Sequence, residues 1–195
     1  EQIVSNPQQR LKDIQLMTQS ERQQLISQWN RTDVQVENAC VHDLFIQQAQ
    51  RTPDAIAVKC GQVSIDYKTL NQRSDQIATI LAKNGVGKNA FVAIYAERSV
   101  EMVAGILGIL KSGNAYIPVD STFPVERVEY MLEDSGAPIL LTTSRLQQNI
   151  TGFAGKSVIL DEISGQDIET EVLPKVSSDV RVYTIYTSGS TGKPK

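Results

Sequence analysis

Charge of one sign, cysteine, histidine and long apolar runs are all scarce in this 195-residue sequence, and each scarcity excludes something. Nineteen basic side chains against 22 acidic ones leave a formal net charge of −3, with the signs interspersed. A nucleic-acid partner, which needs a concentrated basic surface, is not expected. The longest apolar run, Val103 to Leu110, falls far short of the roughly 18 residues that cross a bilayer, so no membrane partner is expected. The opening "EQIVSNPQQR" lacks the basic-then-apolar order of a secretory leader. Two cysteines, Cys40 and Cys60, stand too far apart for a CxxC and are too few for a disulfide framework. They are predicted to be reduced packing residues of a cytoplasmic protein. The lone His42, in "CVHDLF", has no second histidine and no cysteine at ligand spacing. A structural or surface role is expected for it, and no metal ligand is assigned.

What is present suits a buried core: 41% of residues are hydrophobic and 21% charged. After a polar, Gln-rich approach segment, a helix with Thr18 or Ser20 as cap carries Leu25, Ile26 and Trp29 on a narrow stripe that must dock on something. A helix is predicted over 41–50, ending before Pro53. "AIAVKC" and "QVSID" flank Gly61 as a hairpin. A helix then places Leu70, Ser74, Ile77 and Leu81 on one face and stops at Gly85. "AFVAIYA" has the continuous apolar character of a strand buried on both faces. A nearly all-apolar helix runs from a Ser99 cap to Gly113, with Gly105 and Gly108 allowing close backbone approach. "AYIPVD", "PILLTT" and "SVILDE" are predicted strands, separated by a helix that starts at Pro124 and by a short helix at "SRLQQNI". After a polar excursion, a last strand, "VRVYTIYT", is predicted to enter the closing loop. Strands alternating with helices imply an α/β fold, a mostly parallel sheet layered with helices, with ligands at the carboxyl ends of its strands.

"YTSGSTGKPK" supplies five hydroxyls (Tyr186, Thr187, Ser188, Ser190, Thr191), two glycines and two lysines, with no acid. Glycines can turn several N–H groups toward one point; hydroxyls and lysines add donors and charge, and phosphate oxygens are the natural guest. It is no Walker loop, since Thr187 stands where the first glycine should and Pro194 follows Lys193. No GxGxxG occurs either. Composition alone leaves a flexible Ser/Gly linker as the other reading.

The stretch resembles the phosphate-binding signature of the adenylate-forming superfamily. "LKSGNAYIPVD" (110–120) resembles the second core motif of nonribosomal peptide synthetase adenylation domains, with Ser112 in place of the usual alanine. "FPVERVEYMLEDSGAPILLT" continues in that style, though Ser121 stands where proline is usual. "IDYKTLN" (65–71) resembles the first core motif, with Asp66 for Thr or Ser and Thr69 for Glu. "HDLFIQQAQRTPDAIAV" resembles the segment that opens an adenylation domain, and "LMTQSERQQLISQWNRTD" the linker from a preceding condensation domain. The resemblance covers residues 14–195 and implies a linker over 1–38 and the N-terminal portion of an adenylation domain over 39–195, part of its large N-terminal subdomain.

The resemblance implies that an amino acid carboxylate attacks the α-phosphorus of ATP, giving aminoacyl-AMP and pyrophosphate. The aminoacyl group then passes to the phosphopantetheine thiol of a downstream carrier domain. Thr187, Ser188, Gly189, Ser190, Thr191, Gly192, Lys193 and Lys195 would hold the β- and γ-phosphates, with Mg²⁺ sharing the charge. The catalytic lysine, the magnesium and ribose ligands and the acid-selecting pocket are expected beyond Lys195, so the chain alone is expected to be an inactive fragment. Further implied partners are an upstream condensation domain and an MbtH-like protein. Two alternatives stay open: an acyl- or aryl-acid CoA synthetase-like enzyme, and a non-catalytic docking fragment.

Overall fold

The computed structural model describes residues 2–35, 38–163, 166, 168–188 and 194–195. The chain divides into two compact units, Glu1–Glu37 and Asn38–Lys195.

The first unit holds a single turn, α1 (Gln2–Ser5), and α2 (Gln19–Gln23). Thr18 caps α2 in a reciprocal box: its hydroxyl accepts from the Glu21 N–H at 3.2 Å, while Glu21 Oε2 accepts from the Thr18 N–H at 2.8 Å. The expected helix is interrupted, because residues 24–28 widen into a π turn in which the Trp29 N–H reaches Gln24 O at 2.9 Å. Leu25, Ile26 and Trp29 are all exposed.

In the second unit, α3 (Val41–Arg51) leads to an antiparallel hairpin, β1 (Ile56–Cys60) and β2 (Val63–Asp66), turning at Gly61 with φ +59°. Helix α4 (Tyr67–Lys83) follows at once, capped by Asp66, whose carboxylate accepts from the Thr69 N–H at 2.7 Å. The aspartate thereby supplies the cap that Ser or Thr usually provides. Then come β3 (Phe91–Tyr95), α5 (Val100–Lys111), β4 (Ala115–Val119), α6 (Val125–Ser135), β5 (Ile139–Thr142), α7 (Ser144–Gln147), β6 (Lys156–Ile159) and α8 (Leu160–Ile163). The sheet is wholly parallel, in the order β4-β3-β5-β6, with Ala93 between Ile117 and Leu140 at its centre.

Period-two alternation sorts the strands onto two cores. Val92, Ile94, Ile139 and Leu141 pack with Leu70, Ile77, Ala104 and Ile109 of α4 and α5. Ala93, Tyr95, Ile117 and Leu140 pack with Val128, Met131 and Leu132 of α6. Because helices cover both faces, the two inner strands are apolar at nearly every position, as expected for the parallel sheet. Ser99 caps α5 through the Met102 N–H, and Gly136, at φ +60°, ends α6 in the left-handed conformation.

Two expected strands differ in the structure, one cut short and one absent as a strand. The strand in "SVILDE" stops at Ile159, because Leu160 and Ile163, three apart, both reach the α5 core only on a helical turn. "VRVYTIYT" is not a strand: it forms one parallel bridge, Tyr183 opposite Tyr116, with Tyr116 N–H donating to Val182 O and Thr184 N–H to Tyr116 O. The segment lies beside edge strand β4, and its residues are largely exposed.

Candidate functional site

The closing loop is delivered by a segment pinned at several places. At its start, the Arg181 guanidinium stacks over the Phe91 ring at 4.5 Å, and its Nε donates to Asn89 Oδ1 at 3.1 Å. Asn89 holds φ +59° and donates its N–H to Gly113 O. The turn between α5 and β4 is braced alongside: Ser112 Oγ donates to Ile109 O at 2.7 Å and accepts from Asn114 Nδ2 at 3.0 Å, while Asn114 Oδ1 accepts from the Ala90 N–H. "SGN" is thus a structural joint that places β3 and β4, and the hydroxyl of Ser112 is used within it.

Tyr183 then lies against Tyr116 with ring centroids 5.6 Å apart, and Tyr186 turns onto the α6 face of the sheet. Its hydroxyl donates to Asp134 Oδ2 at 2.6 Å. Burial first, and the neighbouring carboxylate second, push this phenol well above its ordinary pKa, so it keeps its proton into the alkaline range. The loop's two described ends meet beyond it: Thr187 N–H donates to Lys195 O at 2.8 Å and Lys195 N–H to Thr187 O at 3.0 Å. Ser188 is exposed. Of the residues expected to grip phosphate, Thr187, Ser188 and Lys195 are therefore placed, and two of them are paired. Gly189, Ser190, Thr191, Gly192 and Lys193 lie outside the described residues. A cleft of about 280 Å³ opens against Phe91, Ile117, Asp134, Thr184, Tyr186 and Lys195.

Two polar clusters lie apart from the loop, one assembled from residues distant in sequence and one from neighbours within "CVHDLF", where, against the expectation from spacing, a cysteine does come within reach of His42. In one, Lys111, with its side chain 1% exposed, forms a salt bridge with Asp75 at 2.7 Å. It also donates to Asn71 Oδ1 at 2.8 Å and lies 5.4 Å from the centre of the Phe45 ring. Burial lowers its pKa, and Asp75 opposes that shift. The other is Cys40, His42 and Asp43, whose ligand-capable atoms lie within 4.8 Å of one another. The Cys40 thiol contacts Val176 O at 3.7 Å, and burial first and Asp43 second raise its pKa.

His42 is buried beside a cavity of about 130 Å³. Burial lowers its pKa below 6.5; Asp43 opposes and Lys111 reinforces that shift. The folded state therefore binds this proton only at lower pH than the unfolded chain does. The contribution is full above pH 6.5 and is lost as pH falls through the depressed value. Urea midpoints for wild type and His42→Gln are expected to converge as pH falls below 6.5.

Residues 45–195 match the family profile described as AMP-binding enzyme. Over the whole chain the sequence is 43% identical to bacitracin synthase 3 of Bacillus licheniformis, of which it spans 3%. It is 40% identical, again over the whole chain, to gramicidin S synthase 2 of Brevibacillus brevis, of which it spans 4%. The nonribosomal peptide synthetase FmoA3, solved in an α-methyl-L-serine-AMP bound form, superposes with a TM-score of 0.77 at 32% identity, covering 86% of this chain and 18% of that one.

Proposed function

The chain belongs to the AMP-binding enzyme family, and we propose that it is the N-terminal portion of an adenylation domain that activates an amino acid in nonribosomal peptide synthesis. The observation that carries this reading is the likeness of the whole chain to peptide synthetases, running through the hydroxyl-rich loop to Lys195. On this reading residues 1–38 are the linker from an upstream condensation domain, and 39–195 belong to the adenylation domain.

The attacking carboxylate is already an anion, so this step needs positioning and charge neutralisation more than a base. Thr187 to Lys195 offers N–H groups, hydroxyls and two ammonium groups with no carboxylate. That donor set fits the β- and γ-phosphate oxygens of ATP, the leaving pyrophosphate. It does not fit Mg²⁺ directly, which when bound would neutralise phosphate charge from ligands outside this stretch. The paired ends at Thr187 and Lys195 would keep the loop's span fixed while its donors face the nucleotide. The aminoacyl group would then leave on a carrier domain's phosphopantetheine thiol. Dependence on an MbtH-like protein belongs to this same reading.

ATP–pyrophosphate exchange by the full protein, with a panel of amino, fatty and aryl acids, tests the reading. Exchange driven by one or a few amino acids is expected. Exchange with fatty or aryl acids alone would transfer the protein to the acyl- or aryl-acid synthetases, and silence from a folded protein would favour a docking role.

A further inference from the structure

We propose that Tyr186 and Asp134 form the latch that positions the phosphate loop, acting as positioning residues rather than as ligands of the nucleotide. The proposal rests on the reading of that loop as the ATP phosphate site, although its structural half stands without it.

The geometry separates three roles within a short stretch. Arg181, Val182 and Thr184 fix the incoming segment to Asn89, Phe91 and Tyr116 at the edge of the sheet. In a second tie, Thr187 and Lys195 join the loop's two described ends to each other. Between them, the Tyr186 hydroxyl donates to Asp134 Oδ2 at 2.6 Å, a side-chain hydrogen bond from the loop's root to a helix of the core. Asp134 sits in the last turn of α6, which Val128, Met131 and Leu132 bury firmly, so the acceptor is held on a rigid element. The ring of Tyr186 adds packing on the same apolar cluster. An ionised carboxylate accepting from a hydroxyl at this distance makes one of the stronger hydrogen bonds open to a side chain. The raised phenol pKa extends the range over which this donor keeps its proton into alkaline pH.

Losing the latch should leave the fold intact and loosen the loop. In the full protein, Tyr186→Phe keeps the ring and removes the donor, Asp134→Ala removes the acceptor, and Asp134→Asn keeps a neutral acceptor. Hydrogen exchange in peptides carrying Thr187 and Lys195 is expected to accelerate about tenfold in Tyr186→Phe and Asp134→Ala, and less in Asp134→Asn. The double variant should go no further than either single one. KM for ATP in pyrophosphate exchange should rise about tenfold while KM for the acid is unchanged, a split that general destabilisation does not produce. Wild-type exchange rates at Thr187 and Lys195 in both Tyr186→Phe and Asp134→Ala would overturn the latch, whatever the enzyme's activity. Accelerated hydrogen exchange in a protein that activates no acid would uphold the latch and reject the functional reading instead.

Discussion

Replacing Asp75 with alanine is expected to cost about 3 kcal/mol of folding stability at neutral pH, more than removing the lysine it holds. The Lys111 side chain is 1% exposed and that of Asp75 27% exposed, so the two partners are left in unequal positions by deletion of the other. Without Asp75 the ammonium group remains buried, with Asn71 Oδ1 and O and the Phe45 ring beside it and no carboxylate partner among its hydrogen bonds to the described residues. Without Lys111 the carboxylate can hydrate. Lys111→Met, which keeps the volume and the contact with Phe45, is expected to change stability by less than about 1 kcal/mol. The pH dependence provides an independent sign. Burial depresses the folded-state pKa of Lys111 below 10.5, so the unfolded chain binds more protons in the window beneath that value. Stability attributable to this group therefore rises with pH across that window, and Lys111→Met should abolish the rise. Urea denaturation of wild type and the two variants at neutral and alkaline pH measures both effects. An Asp75→Ala variant as stable as Lys111→Met would show that the interior carries the charge without its partner.

A second large loss is expected from Gly108→Ala, roughly 2–3 kcal/mol, despite the gain of about 1 kcal/mol that alanine brings to a helix interior. A Cβ there would stand 2.6 Å from Ile77 Cγ2, 2.7 Å from Ile77 Cβ and 3.1 Å from Ser74 O. These are a β-branched stem and a backbone carbonyl of α4, neither of which can turn away. Gly105→Ala provides the control, because its Cβ would meet the far end of Ile94, Cδ1, at 2.9 Å. That methyl can move, so Gly105→Ala is expected to be close to neutral. Thermal unfolding of the two variants side by side distinguishes close helix packing from a general dislike of alanine in α5. Equal midpoints would mean that α4 and α5 separate without cost.

Much of the architecture was legible because short-range rules govern it. The spacing of Leu70, Ser74, Ile77 and Leu81 marked the inner face of α4, and all four are buried. The unbroken apolar run of β3 signalled a strand covered on both sides, and the helices of the two cores provide that cover. Ser99 and Gly85 marked one helix start and one helix end through the hydrogen bond and the left-handed turn that such ends require. Extended character alone was a poorer guide. "VRVYTIYT" alternates like a strand, yet a strand is defined by its neighbours, and β4 offers this segment one bridge. The same limit applied at Leu160, where the position of the core selected a helical turn over a longer strand.

For the candidate site, the sequence by itself determined the chemistry: a loop of hydroxyls, glycines and lysines without an acid, suited to phosphate, and motifs that assign the family. It did so because donor inventory and local turn propensity are properties of neighbouring residues. The tertiary structure alone decided what holds that loop and what the interior tolerates. Tyr186 meets Asp134 across 52 positions, Lys111 meets Asp75 across 36, and Gly108 meets Ile77 only where two helices cross. No local pattern encodes such pairs, since each depends on how far the intervening chain travels before it returns.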